Sequence, residues 1–187
     1  MGMISKSLDI YVLLKLSLMD EFSSYVGLGN QLIMSASEAH ASVQRSISAG
    51  LIHPESRLPM RKPFEEYLFH GVRYAFPAPL GAPSRGVPTA YAAPPLNQLI
   101  EYSDLPPVWL SGNGDVKGVK IEPLHKSAQY MREKDPPFYE LLTLVDALRM
   151  GRRREYDRAV DELKRRLFSA RSYHRTTLFG PRPSGAT

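Results

Sequence analysis

The sequence predicts an α+β chain that is mainly helical, and three observations carry that prediction. Apolar residues recur at three- and four-residue spacing in several separate stretches. Those stretches carry their own start and stop residues. Two shorter regions, 72–93 and 108–121, are instead rich in β-formers and broken by Pro and Gly, as β-hairpins are.

The first stretch, 8–19, is apolar on most faces; its length favours a buried helix, with Ser7 as N-cap. Ser23 and Ser24 offer a second cap before 25–33, where Val26, Leu28, Leu32 and Ile33 make an apolar stripe. Gly27 and Gly29 each weaken that helix by about 1 kcal/mol. Ser35 and Glu38 then stand at capping-box spacing. Ala36, Ala39, Val43 and Ile47 fall on one face of the helix that follows, and Gly50 sits where a left-handed glycine ends it. Leu51 and Ile52 can start a strand. Pro63 suits the first turn of a helix over 64–70, closed by Gly71. Residues 72–76 alternate as a strand, 77–86 form a loop containing Arg85, and 87–93 return as its partner. Residues 108–110 and 116–121 flank Gly112-Asn113-Gly114-Asp115 as a second hairpin. Pro136-Pro137 opens a helix to Met150 whose Leu141, Leu142, Val145 and Leu148 share a face. Gly151 breaks it, and 152–167 form a last, highly charged helix with Tyr156, Ala159, Val160, Leu163 and Leu167 buried. Residues 171–187 read as a flexible tail. The expected organisation is one unit over 1–93, a hairpin plus helical extension over 94–170, and that tail.

Composition limits the function. At 187 residues and 43% hydrophobic, the chain has ordinary globular make-up. It has no cysteine, which excludes disulfides, thiolate metal sites and a cysteine nucleophile and fits a reducing cytoplasm. Charges interrupt the first apolar run, which has neither a signal-peptide layout nor the length of a bilayer span. The net charge of +5 is uneven: up to Gly151 there are 14 basic and 15 acidic residues, and from Arg152 onward 10 and 4. Basicity therefore belongs to the C-terminal segment, where interleaved Glu155, Asp157, Asp161 and Glu162 read as partners on an ion-paired face. Any case for nucleic acid must rest on pattern.

That pattern is a helix, a short helix, a tight turn and a helix capped at both ends. A helix-turn-helix inserts its second helix into the major groove. With Ala36, Ala39, Val43 and Ile47 inward, Ser37, Glu38, His40, Ala41, Gln44, Arg45 and Ser48 lie outward or on the flanks. Gln pairs bidentately with adenine and Arg with guanine, for about 1–3 kcal/mol of discrimination per contact. Ser35 and Ser37 at the helix start suit phosphate oxygens. Arg57, Arg61, Lys62, Arg73 and Arg85 can add phosphate contacts from the wing side.

The stretch Ser35-Ala36-Ser37-Glu38-Ala39-His40, through Val43-Gln44-Arg45, to Ala49-Gly50-Leu51-Ile52 resembles winged helix-turn-helix regulators of the MarR-like type. The resemblance covers about 50 residues. It implies that 35–49 is the recognition helix and that the first wing strand follows. Val43 and Gly50 keep the expected separation, Arg45 matches an often-basic position and His40 a polar, base-facing one. Ala41 departs, since the family commonly has a larger polar or basic residue there. After Leu51 the chain departs again, with a Pro-rich loop where a compact wing is expected. Residues 70–91 look like a feature of uncharacterised winged-helix proteins.

Enzyme signals are poor, so the expectation is not an enzyme, with no cofactor and no metal. The five histidines are scattered without ligand spacing. Gly27-Leu28-Gly29 lacks the third glycine and preceding strand of a dinucleotide site. Asp135 and Asp146 sit in helix contexts without a partner motif, and Glu122-Pro123-Leu124-His125 reads as a strand end. The expected function is a cytoplasmic, nucleoid-associated DNA-binding repressor, homodimeric on double-stranded DNA. The alternative is an antitoxin-like protein that masks a toxin-like or defence enzyme through 108–167 and autoregulates its operon. A third class, a small-molecule sensor, would use the Pro- and aromatic-rich middle as a pocket.

Overall fold

The computed structural model describes residues 5–101 and 105–169. Helices α1 (Ser7–Leu16), α2 (Tyr25–Leu32) and α3 (Ala36–Ser48) come first. Helices α4 (Arg61–His70) and α5 (Val72–Ala75) follow, then strands β1 (Pro83–Pro88), β2 (Pro107–Leu110) and β3 (Val116–Lys120). Helices α6 (Met131–Lys134), α7 (Pro136–Met150) and α8 (Arg153–Leu163) complete the order. The fold is α+β and predominantly helical, with one small three-stranded sheet, an arrangement compatible with a winged helix.

Helix α1 is apolar on most faces because it is enclosed on most faces. Ile10, Tyr11, Val12, Leu13, Leu14 and Leu16 are all fully buried, with α3 and α7 as packing partners. Each large apolar side chain so placed contributes about 1.5–3 kcal/mol. Its N-cap is Lys6, one residue before the expected Ser7, because the Asp9 carboxylate accepts from the Lys6 backbone N–H at 2.9 Å. Helix α7 is buried on nearly its whole circumference from Phe138 to Arg149. A single cluster of buried apolar side chains runs from Ile10 to Phe168, so the described residues before and after Ala93 share one core.

Helix α2 is capped by Ser24, whose hydroxyl accepts from Gly27 N–H, and ends at Ile33 in the left-handed conformation. That conformation is unusual for a β-branched residue. It permits a turn of three residues into α3. Gly29 is required there: a Cβ would stand 2.7 Å from the Met34 carbonyl oxygen.

The expected hairpin over 72–93 does not form. Residues 72–75 are a helical turn that extends α4 through Gly71, with Phe76 N–H bonded to the Val72 carbonyl. The alternation that reads as a strand also places Val72 and Phe76 one helical turn apart, and burial of Val72 beneath a turn that packs on α7 decides for helix. Residues 90–92 form a 3-10 turn instead of a strand.

The strands expected within 108–121 are present but are not a hairpin. β1 lies antiparallel to β2, with Val87 opposite Trp109, and antiparallel to β3, with Arg85 opposite Lys117. β2 and β3 run parallel, with Pro107 opposite Val119, so the sheet closes on itself. Closure at this diameter forces backbone against backbone. A Cβ on Gly86 would lie 2.0 Å from the Trp109 carbonyl oxygen, a position only glycine fills.

The helix expected over 152–167 forms as α8 and a π turn over Lys164–Phe168; of its expected stripe Ala159, Leu163 and Leu167 are buried, while Tyr156 and Val160 are only half-buried. The tail expected over 171–187 lies outside the described residues. Among the described residues, no helix is long and apolar enough to cross a membrane.

Candidate nucleic-acid interface

Helix α3 is fixed at both ends by its own sequence. Ser35 Oγ accepts from the Glu38 backbone N–H (3.1 Å) and donates to Glu38 Oε2 (2.8 Å), which also accepts from the Ser35 backbone N–H (3.0 Å). Gly50, at φ +71°, ends the helix as expected. The Ser35 backbone N–H, and then its hydroxyl, hold the Glu38 carboxyl below the usual carboxylate range. The capping box is therefore intact at neutral pH and is lost as pH falls through that depressed value. Ser35→Ala is expected to lower stability by about 1 kcal/mol in urea unfolding at pH 7, with a smaller difference from wild type in acid. Ser35 and Glu38, both expected to touch DNA, thus spend their hydrogen bonds on each other.

The outward face of α3 carries Ser37, His40, Ala41, Gln44 and Ser48, all exposed. Their spacing of three and four residues makes one continuous stripe. Ser48 Oγ donates to the Gln44 carbonyl at 3.0 Å, leaving the Gln44 side chain exposed. Ala39 and Val43 face the core, together with Ser42 and Ser46.

Arg45 requires a correction. Expected on the outer flank, its guanidinium is turned onto α1: Nε lies 3.0 Å from Asp9 Oδ2 and one terminal nitrogen 2.6 Å from Oδ1. Ser42 Oγ donates to the same carboxylate at 2.8 Å. The Asp9 side chain is 2% exposed and that of Arg45 13%. A carboxylate so desolvated needs a cation and several donors, and that need outweighs the exposure available to a long side chain on the flank. The charge on α3 that was to meet DNA instead binds α3 to α1.

The chain after α3 also differs from expectation. Over 51–60 it makes a compact antiparallel excursion, with Ile52 bridging Pro59. Met60 N–H bonds to the Leu51 carbonyl (2.8 Å) and His53 N–H to the Leu58 carbonyl (3.0 Å). Arg57 in this excursion is exposed and lies over the rings of Phe22 (5.5 Å) and Tyr25 (5.9 Å). Tyr25 in turn meets His40 edge-on at 4.8 Å. Phe22, Tyr25, His40 and Arg57 therefore tie the excursion to α2 and α3. The separation of Phe22 from Arg57 in the chain hides this cluster from any local pattern.

The remaining expected cations divide. Arg61 and Lys62 are exposed at the start of α4, directly after the excursion. Arg73 is not with them: its guanidinium stacks on Tyr74 (5.0 Å) and Tyr156 (5.2 Å), where a Cβ on Gly151 would touch it. Arg85 lies on β1 opposite Lys117. The packing of those two elements is with α4, α7 and the other strands.

On the other side, the end of α2 and the turn into α3 meet the segment 125–134. Ser127 Oγ donates to the Ile33 carbonyl (3.0 Å) and Lys134 Nζ to the Asn30 carbonyl (3.1 Å). His125 Nδ1 accepts from the Ser127 backbone N–H, and its ring lies 5.1 Å from that of Tyr11. Burial pushes the His125 imidazole below its ordinary value, with the Glu38 carboxylate pulling it back up.

A second polar cluster is internal. The Asp146 carboxylate accepts from Trp109 Nε1 (2.6 Å), Thr89 Oγ1 (2.8 Å) and an Arg149 guanidinium nitrogen (2.5 Å). Arg149 Nε donates to the Phe76 carbonyl at 2.8 Å. Burial pushes the Asp146 carboxyl up, and Arg149 and the two neutral donors pull it back. At 1% exposure this carboxylate cannot meet a substrate; it joins α7 to β2, to the residues after β1 and to the end of α5. Asp135 is likewise structural: it caps α7 and pairs with Lys15 at 2.6 Å.

In comparison with protein families, with curated proteins and with solved structures, the chain matches none of them.

Proposed function

We propose that residues 7–60 form a winged helix-turn-helix that binds double-stranded DNA, with α3 in the major groove and 51–60 as the wing. One observation carries the reading: α3 is a helix capped at both ends whose polar stripe, Ser37 to Ser48, is uncovered, with exposed Arg57 tied to it through Tyr25 and His40. Gln44 is the reader of bases, having two donors and one acceptor free in the middle of the stripe. Ser37 and His40 flank it. Arg57, Arg61 and Lys62 meet phosphates. A monomer with so few cations binds weakly and with strong salt sensitivity, so the active form is a homodimer on a pseudo-palindromic site, repressing by occlusion of a promoter. Genomic footprinting of the native protein tests this. Gln44→Ala is expected to lose about 1–3 kcal/mol of preference for the recovered site over random duplex, with an unchanged melting temperature. Footprints at wild-type occupancy in that variant would remove Gln44 as the reader.

A second reading has its own observation. Leu110 and Tyr130, on β2 and just before α6, are 55% and 53% exposed, within the region expected to mask a partner enzyme. Loss of a neighbouring-gene enzyme's activity on adding this protein, relieved by Tyr130→Ser, would favour it.

A further inference from the structure

The turn between α2 and α3 is held by a segment 94 residues further along, through the Ser127 hydroxyl on the Ile33 carbonyl. Ile33 is the residue in the left-handed conformation, so this bond secures the strained point of the turn. Lys134 grips the end of α2 through the Asn30 carbonyl. Its ammonium has two further donors. Lys126 is exposed and directly precedes Ser127, so the bond to the Ile33 carbonyl holds it near the turn that leads into α3. With Arg45 withdrawn onto Asp9, Glu38 would be the only formal charge α3 presents to a phosphate backbone, so cations for that backbone must come from neighbouring segments.

We propose that Lys126 and Lys134 are phosphate-binding residues of the same interface, so that the segment 126–134 forms a second cationic wall at the α2–α3 turn, by the start of α3, in addition to the wing. The proposal rests on the reading of α3 as the DNA-contacting helix. Lysine acts here as a point charge, without the fork that orients arginine, so the wall adds affinity and position but no sequence preference. It also makes the C-terminal half of the chain part of the DNA-binding surface.

The test is the salt dependence of binding of the full chain to a labelled duplex of random sequence. Wild type is compared with Lys126→Gln/Lys134→Gln and with Arg153→Gln/Arg158→Gln, an equal charge change at exposed positions of α8. The slope of log affinity against log salt is expected to become shallower by about 1.8 in the lysine variant, two phosphate contacts at about 0.9 each. It should stay at the wild-type value in the α8 variant, and Lys126→Arg/Lys134→Arg should restore it. An unchanged slope in the lysine variant, or an equal fall in both glutamine variants, overturns the wall and leaves the α3 reading standing. A wild-type protein that does not bind duplex at low salt overturns both.

Discussion

Asp146→Ala is expected to lower the free energy of unfolding by about 3–5 kcal/mol, because it leaves the Arg149 guanidinium buried without a counter-charge. Domains of this size are stable by about 5–15 kcal/mol, so the variant sits near the edge of folding. Three donors lose their acceptor at once: Arg149, Trp109 and Thr89. Each buried donor left unpaired carries its own cost of about 1–3 kcal/mol. The measurement is urea unfolding of wild type, Asp146→Ala, Arg149→Leu and the double variant. The double variant should recover part of the loss, since removing both charges is far less costly than removing one. A loss below about 1 kcal/mol in Asp146→Ala would contradict the account, because exposed positions change by no more than about 0.5 kcal/mol.

Asp9→Ala is expected to cost about 3 kcal/mol by the same mechanism. The lower end applies because Arg45 keeps 13% of its side chain exposed and can turn partly to water. The consequence for function is direct. Arg45→Ala is a stability change as well as a surface change, since it strands the Asp9 carboxylate with only Ser42 and the Lys6 N–H. A double change of Gln44 and Arg45 that abolished DNA binding would therefore not separate lost readout from a loosened α3. Gln44→Ala alone does so. A double-mutant cycle over Asp9 and Arg45, read by urea unfolding, should give a coupling of about 1–3 kcal/mol; additive losses would mean that the pair does not act as a unit.

Both charge pairs show what a local reading leaves open. The Asp9 side chain interrupts an apolar run, and Asp146 lies one helical turn from Leu142 on the face expected to be buried. An acid in the middle of an apolar face must be desolvated, and a desolvated acid must have donors. That much is visible without coordinates. Which donors they are is not: Arg45 lies 36 residues from Asp9, and Trp109 lies 37 residues from Asp146. The same limit explains the sheet. Residues 107–110 and 116–120 have strand composition, yet each also pairs with β1, and close backbone approach at Gly86, Gly114 and Gly118 makes room for the three to pair mutually.

What the amino-acid sequence determined by itself depends on neighbours within about one helical turn. The capping box of Ser35 and Glu38, the stop at Gly50, the cap at Ser24 and the helical face of 138–150 are of this kind, because a cap or a periodic face is satisfied within its own segment. The outward stripe of α3 follows from the same periodicity. The tertiary structure decided the rest. It turned Arg45 inward, made a helix of 72–75, gathered Phe22, Tyr25, His40 and Arg57, and brought 126–134 against the α2–α3 turn. Burial and charge pairing act between segments far apart in the chain, and their energies, several kcal/mol for a desolvated ion pair, exceed the few tenths to 1 kcal/mol by which local preference chooses a conformation.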